Sequence, residues 1–266
     1  MSEDEYARRG IDLDKPNPAR VYDYILGGRL NYAVDRMFAD QVLAAQPNAR
    51  ERAQLNRQWL RRAIRFGMDQ GIRQFLDIGS GMPTVGHVHE VAHAIDPTAR
   101  VVYVDNEPVA VAHSEIVLED NENAVMVHAD AEVPDDVLEH ETTEMMLDLD
   151  QPVMVVMALF VHFIPDERDP ARLIAAYRDA LAPGSYLAMS SATPEQQTDG
   201  TARAVAMYQK SANPVTPRTA DELRALVDGF EILDPGIVFI PEWRPEDGVP
   251  ENPAECGGLA LVARKN

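Results

Sequence analysis

The residues best placed to do chemistry fall in one stretch, Arg73-Gln74-Phe75-Leu76-Asp77-Ile78-Gly79-Ser80-Gly81-Met82-Pro83. Gln74 to Ile78 is a short apolar run of the kind that forms a buried strand. Gly79, Ser80 and Gly81 break it, and Val85, Val88, Val91, Ala92 and Ile95 then recur at helical spacing, which predicts a helix over Thr84 to Ile95. Glycines at such a turn let a ligand approach the backbone, and the helix that follows aims free N–H groups at it. A dinucleotide fingerprint is excluded, because the next glycine, Gly86, comes too late. A phosphate P-loop is excluded because no Gly-Lys-Ser/Thr follows. What remains is Asp-x-Gly-x-Gly. Its acid, two residues before the first glycine, suits a ligand that carries an ammonium group. A plain strand-to-helix turn would also read this way.

Two further acids stand at strand ends. Asp105 closes the apolar run Val101 to Val104, where a carboxylate can accept from both hydroxyls of a ribose. Asp130 closes Ala124 to Ala129, where a carboxylate can accept from an adenine amino group. Asn106 and Ala131 adjoin them. Each acid alone could merely cap a loop; three at corresponding strand ends point to one site. A rival motif, His89-Glu90-Val91-Ala92-His93, matches the His-Glu-x-x-His of zinc hydrolases, with Glu107 or Glu115 as conceivable third ligands. A solvated helix face explains it as well. His162, after the apolar run Val153 to Val161, is a candidate base toward a substrate hydroxyl or amine, or else a pocket wall.

The elements that must position these residues alternate from Phe75 onward. Strands are expected over Val101–Val104, Ala124–Ala129, Val153–Val161, Ser185–Ser190, Phe230–Ile240 and Gly258–Ala263. Helices are expected over Pro108–Leu118, Asp169–Leu181, Thr198–Ser211 and Thr219–Val227. This alternation implies a parallel, doubly wound α/β sheet. Before it the chain carries no strand signal. Asn17 caps and Pro18 opens a helix over Ala19–Leu26, Gly27-Gly28 stops it, and helices over Asn31–Ala45 and Arg50–Gly67 follow. Residues 1–15 are polar and expected to be unstructured. The chain therefore divides into a helical cap, 1–72, and a sheet domain, 73–266.

Composition narrows the function. The 266 residues carry a net charge of −20, which disfavours nucleic-acid substrates, since phosphate binding needs a basic surface. The charge is uneven: residues 1–73 hold 13 Lys and Arg against 10 Asp and Glu, the remainder 11 against 34. Basic helices docked on an acidic core account for most of this. No run is long enough for a membrane helix, the start Met-Ser-Glu-Asp-Glu lacks a signal peptide's apolar stretch, and Cys256 is the only cysteine. A cytoplasmic protein without disulfides is expected.

Asp77-Ile78-Gly79-Ser80-Gly81 resembles the first motif of the Rossmann-like S-adenosylmethionine-dependent methyltransferases. Pro16-Asn17-Pro18-Ala19-Arg20-Val21-Tyr22-Asp23-Tyr24, Leu26-Gly27-Gly28, Asn31, Asp35-Arg36, Asn56-Arg57, Tyr103-Val104-Asp105-Asn106, Val215-Thr216-Pro217-Arg218 and Trp243-Arg244-Pro245 resemble one bacterial branch of them. That branch is an S-adenosyl methyltransferase family first catalogued as a domain of unknown function, and the likeness covers nearly the whole chain. Pro83 stands where the general motif has a third glycine, as it does in this family; Arg29-Leu30 replaces the usual Lys-Asp. The resemblance implies a Rossmann-like methyltransferase fold that binds S-adenosyl-L-methionine. Asp105 would then hold the ribose, Gly79, Ser80 and Gly81 the methionine part, Asp77 its amino group, and Asp130 and Ala131 the adenine, with Asn106 also binding the cofactor. Arg20, Tyr22, Asn31 and Asp35 would close the pocket from the cap. The acceptor is expected to be a small molecule, because the base-methylating Asn/Asp-Pro-Pro-aromatic and Pro-Cys motifs are missing. A non-catalytic cofactor-binding protein with a regulatory partner and a zinc hydrolase are the alternatives.

Overall fold

In the computed structural model residues 12–83, 86–246 and 248–266 are described. Much of the polar start and Thr84-Val85, the first two residues of the helix expected over Thr84 to Ile95, lie outside them. Three helices come first: α1 (Pro18–Leu26), α2 (Ala33–Ala45) and α3 (Ala49–Asp69). Asn17 caps α1 by accepting from the N–H of Ala19, and Gly27 ends it at φ +89°. Gly28 has no room for a side chain, since a Cβ there would lie 1.9 Å from the Asp23 carboxylate.

The sheet strands are β1 (Gln74–Ile78), β2 (Arg100–Asp105), β3 (Ala124–His128), β4 (Met154–Ala158), β5 (Tyr186–Ala192), β6 (Phe230–Ile232), β7 (Val238–Phe239) and β8 (Gly258–Lys265). Their order is β3-β2-β1-β4-β5-β8-β6, with β7 also on β8. The first five are parallel and β8 runs antiparallel to β5. This is the doubly wound sheet expected. The direction of winding reverses between β1 and β4, so the glycine turn after β1 opens at the reversal point, where such sheets bind ligands.

The intervening helices are α4 (Val88–His93), α5 (Pro108–Leu118), α6 (Pro134–Leu138), α7 (Glu141–Met146), α8 (Pro170–Ala180), α9 (Asp199–Tyr208) and α10 (Ala220–Leu226). Short α6 and α7 had no sequence signal strong enough to anticipate. The strand expected over Phe230–Ile240 is two strands, because Pro235-Gly236 turns the chain between them. Helix α4 begins at Val88, later than its periodicity implied.

Two apolar layers cover the sheet. One side packs Val137, Leu173, Ile174, Tyr177 and Leu223 against it. The other takes Trp59, Ala63 and Ile64 of α3 together with Val88, Ala92 and Trp243. Helix α3 thus roots the N-terminal segment in the main core. A third, smaller cluster joins α1 and α2 to the start of α3 and to α9 through Val21, Ile25, Val42, Ala53 and Ala204. The arginine surplus of α3 is used as docking: Arg62 donates to the carbonyls of Ile240 and Trp243, and Arg65 pairs with Glu246.

Candidate functional site

A cavity of about 500 Å³ lies at the carboxyl edge of the parallel strands, under α1, α2 and α9. Asp77, Gly79, Ser80, Gly81, Asp105, Asn106, Asp130, Ala131, His162 and Tyr22 all line it. Ten of the sequence-derived candidates are thereby brought to one wall system from separate elements.

The turn after β1 is built for approach. Gly79 and Gly81 have φ of +66° and +70°, values costly for residues with a Cβ. A Cβ on Gly79 would lie 2.5 Å from the Phe160 ring, whereas one on Gly81 would meet only Ala19 at 3.8 Å. Phe160 follows Leu159, a non-glycine residue at φ +55° just beyond β4, where the N–H of Leu159 bonds both the carbonyl and the hydroxyl of Ser190. Such backbone strain is held only where the surroundings over-determine it.

Asp105 accepts the N–H of Gly81 on one oxygen and of Glu107 on the other, each at 2.8 Å. Each oxygen keeps a second lone pair for a ligand hydroxyl. Burial raises its carboxyl above the usual range, against the pull of those backbone donors. The Asp77 carboxylate accepts no hydrogen bond from a described residue. Burial pushes it up to about 7, opposed by the nearby Arg57 and reinforced by Asp105. Asp130 is exposed and accepts the N–H of Glu132.

His162 is buried, and the N–H of Ala192 donates to its Nδ1 at 3.3 Å. Burial, with Arg218 nearby, pulls it down to about 3. A neutral ring that accepts at Nδ1 carries its proton on Nε2. His162 therefore offers a donor rather than a free base.

Arg20, Asn31 and Asp35, expected to close the pocket from the cap, are not among the cavity-lining residues. Arg20 is 1% exposed. Its guanidinium pairs with Asp35 at 2.8 Å and Glu107 at 2.7 Å and donates to the carbonyls of Asp12 and Lys15. These bonds fix residues 12–15, which had been expected to be unstructured. Asn31 donates to Asp23. The three are occupied in fastening α1 to α2 and to the segment after β2, because a buried charge must be paired. Tyr22 does reach the cavity, its hydroxyl bonded to the carbonyl of Ala53.

The zinc-type motif is spent on packing. His89 Nδ1 meets the Tyr103 hydroxyl at 2.7 Å and His93 Nε2 the Ala99 carbonyl at 2.8 Å. No group of three or more metal-ligating side chains could hold an ion among the described residues.

Sequence reasoning overlooked Asn56, Arg57, Arg52 and Thr193, all on the cavity wall. Arg57 stacks over the Tyr22 ring, 5.6 Å from its centroid, and its buried Nε has no hydrogen-bond partner. The buried Ser80 Oγ also has none. Asn56 accepts from the Ser190 hydroxyl at 2.8 Å. The Asn56-Arg57 pair was visible as part of the family resemblance, but its helical context offered no reason to aim it at a ligand.

A family model described as S-adenosyl methyltransferase matches residues 4–266. The chain belongs to that family. It is a methyltransferase that depends on S-adenosylmethionine. A solved structure of a proposed methyltransferase from Thermobifida fusca YX is 37% identical, covering 97% of both chains with a TM-score of 0.92. A DUF574 family protein from Streptomyces avermitilis MA-4680 is 34% identical, covering 96% of this chain and 99% of its own, with a TM-score of 0.91. A methyltransferase dependent on the same cofactor from Methanosarcina mazei, 17% identical with a TM-score of 0.50, shares the fold; it covers 73% of this chain and 92% of its own. Among curated proteins none matches the chain. The cavity fits the cofactor family on its own terms. It offers acids for ammonium and hydroxyl groups, a glycine turn open to approach, and unpartnered donors on Arg57 and Ser80 for a carboxylate. No helix among the described residues is long and apolar enough to cross a membrane.

Proposed function

We propose that this methyltransferase acts on a small molecule held under the helical cap, and that the strand-end residues hold the cofactor. The observation that carries this is the roofed cavity of about 500 Å³ in which Asp77, Asp105 and the glycine turn share walls with α1, α2 and α9. That is the size and concavity of small-ligand sites. The net charge of −20 speaks against a nucleic acid as acceptor.

In this reading Asp105 and Asn106 take the ribose hydroxyls and Asp130 with Ala131 the adenine edge. Gly79, Ser80 and Gly81 lie along the methionine part. Asp77 receives its ammonium group, and Arg57 and Ser80, whose donors lack partners, receive its carboxylate. S-adenosylmethionine supplies an activated methyl on a sulfonium, so the chain's share is mainly alignment and exclusion of water. His162 donates from Nε2 to the acceptor and orients it. The cap is residues 1–72 and the cofactor domain 73–266, with α3 as the part of the cap that is rooted in the sheet core.

Methyl-labelled cofactor incubated with a fractionated host extract tests the proposal. Label should appear in the low-mass fraction and require the protein. Label confined to protein or nucleic acid would reject the small-molecule reading.

A further inference from the structure

The cavity holds charges of both signs, and Arg57 stands close to Asp77. Asp77, Asp105 and Asp130 stand at its sheet end, while Arg52, on the first turn of α3, lines the part bounded by Val42, Ala204, Val205 and Ile240. Arg52, which is half-buried, is unlike the buried arginines. Arg20 has two carboxylate partners and Arg218 has Asp166. Arg52 instead donates from Nε to the carbonyl of Cys256 and from Nη1 to the Thr201 hydroxyl at 2.9 Å. Among the described residues no carboxylate forms an ion pair with it and its Nη2 makes no hydrogen bond.

The surroundings hold this guanidinium in place. Its plane lies against Gly257, where a Cβ would fall 1.4 Å from Nη2, and Gly257 has φ +60°. Thr201 is in turn fixed by Gln46 at 3.2 Å and by Thr198 at 3.0 Å. A half-buried cation with only neutral partners is partly desolvated without a counter-charge, and that desolvation pulls Arg52 down to about 10. An anion arriving from the cavity would relieve that cost, and a planar fork suits a carboxylate.

We propose that the apolar end of the cavity is the acceptor chamber and that the acceptor is a compact, mainly apolar molecule bearing a carboxylate, which pairs with Arg52. This rests on the cofactor lying at the acidic end, as proposed above. The apolar lining would take the body of the molecule, and the charge at Arg52 would set which end faces the methyl donor. A neutral analogue of the same shape would leave the guanidinium unpaired and bind less well.

The test uses the full-length protein saturated with S-adenosylhomocysteine and two probes, 2-naphthoate and 2-naphthamide, titrated by calorimetry. The naphthoate should bind at least about tenfold tighter than the amide, the scale of a charge-assisted bond over a neutral one. Arg52→Gln should erase that preference and Arg52→Lys should keep part of it. The probe comparison on the unaltered protein stands even if a variant fails to fold. Equal affinities, no binding of either probe, or a preference that survives in Arg52→Gln would each overturn the assignment. If S-adenosylhomocysteine itself fails to bind, the cofactor placement falls, and this inference with it; if it binds and the probes do not differ, only the inference falls.

Discussion

Asp77 offers the sharpest test of the cofactor placement. Its carboxyl stands at about 7 because burial disfavours the charge more than Arg57 favours it. An ammonium group needs the ionised form. With a pKa of about 7, roughly one tenth of the protein carries that charge at pH 6 and about one half at pH 7. Affinity for S-adenosylmethionine should therefore rise about fivefold over that unit of pH, and binding at pH 6 should release close to one proton. Staying at or below pH 7 keeps the ligand's own amine charged.

Calorimetry at pH 6 and pH 7, in buffers of different ionisation heat, reads both quantities at once. Asp77→Asn should lose the pH dependence and the proton release together. It should also weaken binding at pH 7 by about 10- to 100-fold, the worth of a hydrogen bond to a charged group. An unchanged dissociation constant between pH 6 and pH 7 in the unaltered protein, with no proton release, would refute the placement of the ammonium at Asp77.

Other consequences are as direct. Arg20→Met should cost about 3–5 kcal/mol of unfolding free energy, because Asp35 and Glu107 are left buried without their partner; a loss under about 1 kcal/mol in denaturant melts would contradict the clamp. Gly79→Ala should weaken S-adenosylhomocysteine binding at least about tenfold, since the new methyl meets Phe160 in a backbone conformation costly for alanine; native affinity would show that the turn tolerates it. His87 and His162 are both pulled down to about 3 by burial. The unfolded chain, with histidines near 6.5, binds the extra protons, so their share of stability is complete above about pH 6.5 and is lost as pH falls toward 3. His162→Gln should make the stability fall less steep between pH 6.5 and 4.5, and an unaltered slope would be the contrary result. His162→Gln should also keep most turnover, because glutamine can still donate. Loss of turnover comparable to that of His162→Ala would favour a proton-transfer role.

Sequence reading succeeded where one residue type has one local use. The turn after β1 needs glycine, so Gly79 and Gly81 marked it, and the acids beside it followed from strand ends, which alternating apolar runs located to within a residue or two. It failed where the use of a residue depends on distant partners. Arg20 and Asp35 read as pocket residues through the family resemblance; only the fold puts Glu107, 87 residues away, against Arg20. Arg52 and Arg57 were two of many arginines on one helix. Which of them docks on carbonyls, as Arg62 does, and which faces the cavity without an ion-pair partner depends on side-chain packing that helical spacing does not encode. The expected helical lid shows the same limit. Apolar periodicity marked α3 as amphipathic but could not say that its face belongs to the main sheet, where Trp59 is fully buried.

That rooting decides how the cap can work. Deleting residues 1–70 would strip Trp59, Ala63 and Ile64 from the sheet core, and loss of one such aromatic alone costs about 3–5 kcal/mol, so truncation would report on folding and not on closure. Helices α1 and α2 stand apart from that core and share their small cluster with α9 and the start of α3. Yet the same pair is tied to the cavity floor at Asp105. Arg20 holds Glu107, and the N–H of Glu107 holds Asp105. Asn17, which caps α1, also donates to Glu107 at 2.6 Å. One short segment after β2 therefore serves Asp105 on one side and the cap on the other. Substituting Glu107 by Gln should then disturb two things together. Cap stability should fall, because Arg20 keeps one carboxylate instead of two, and cofactor affinity should fall although Glu107 itself does not line the cavity. Proteolysis within α1 and α2 reads the first and calorimetry with S-adenosylhomocysteine the second. If the cap loosens while affinity stays native, the cap and the ribose site are independent, and the coupling through residues 105–107 is structural coincidence.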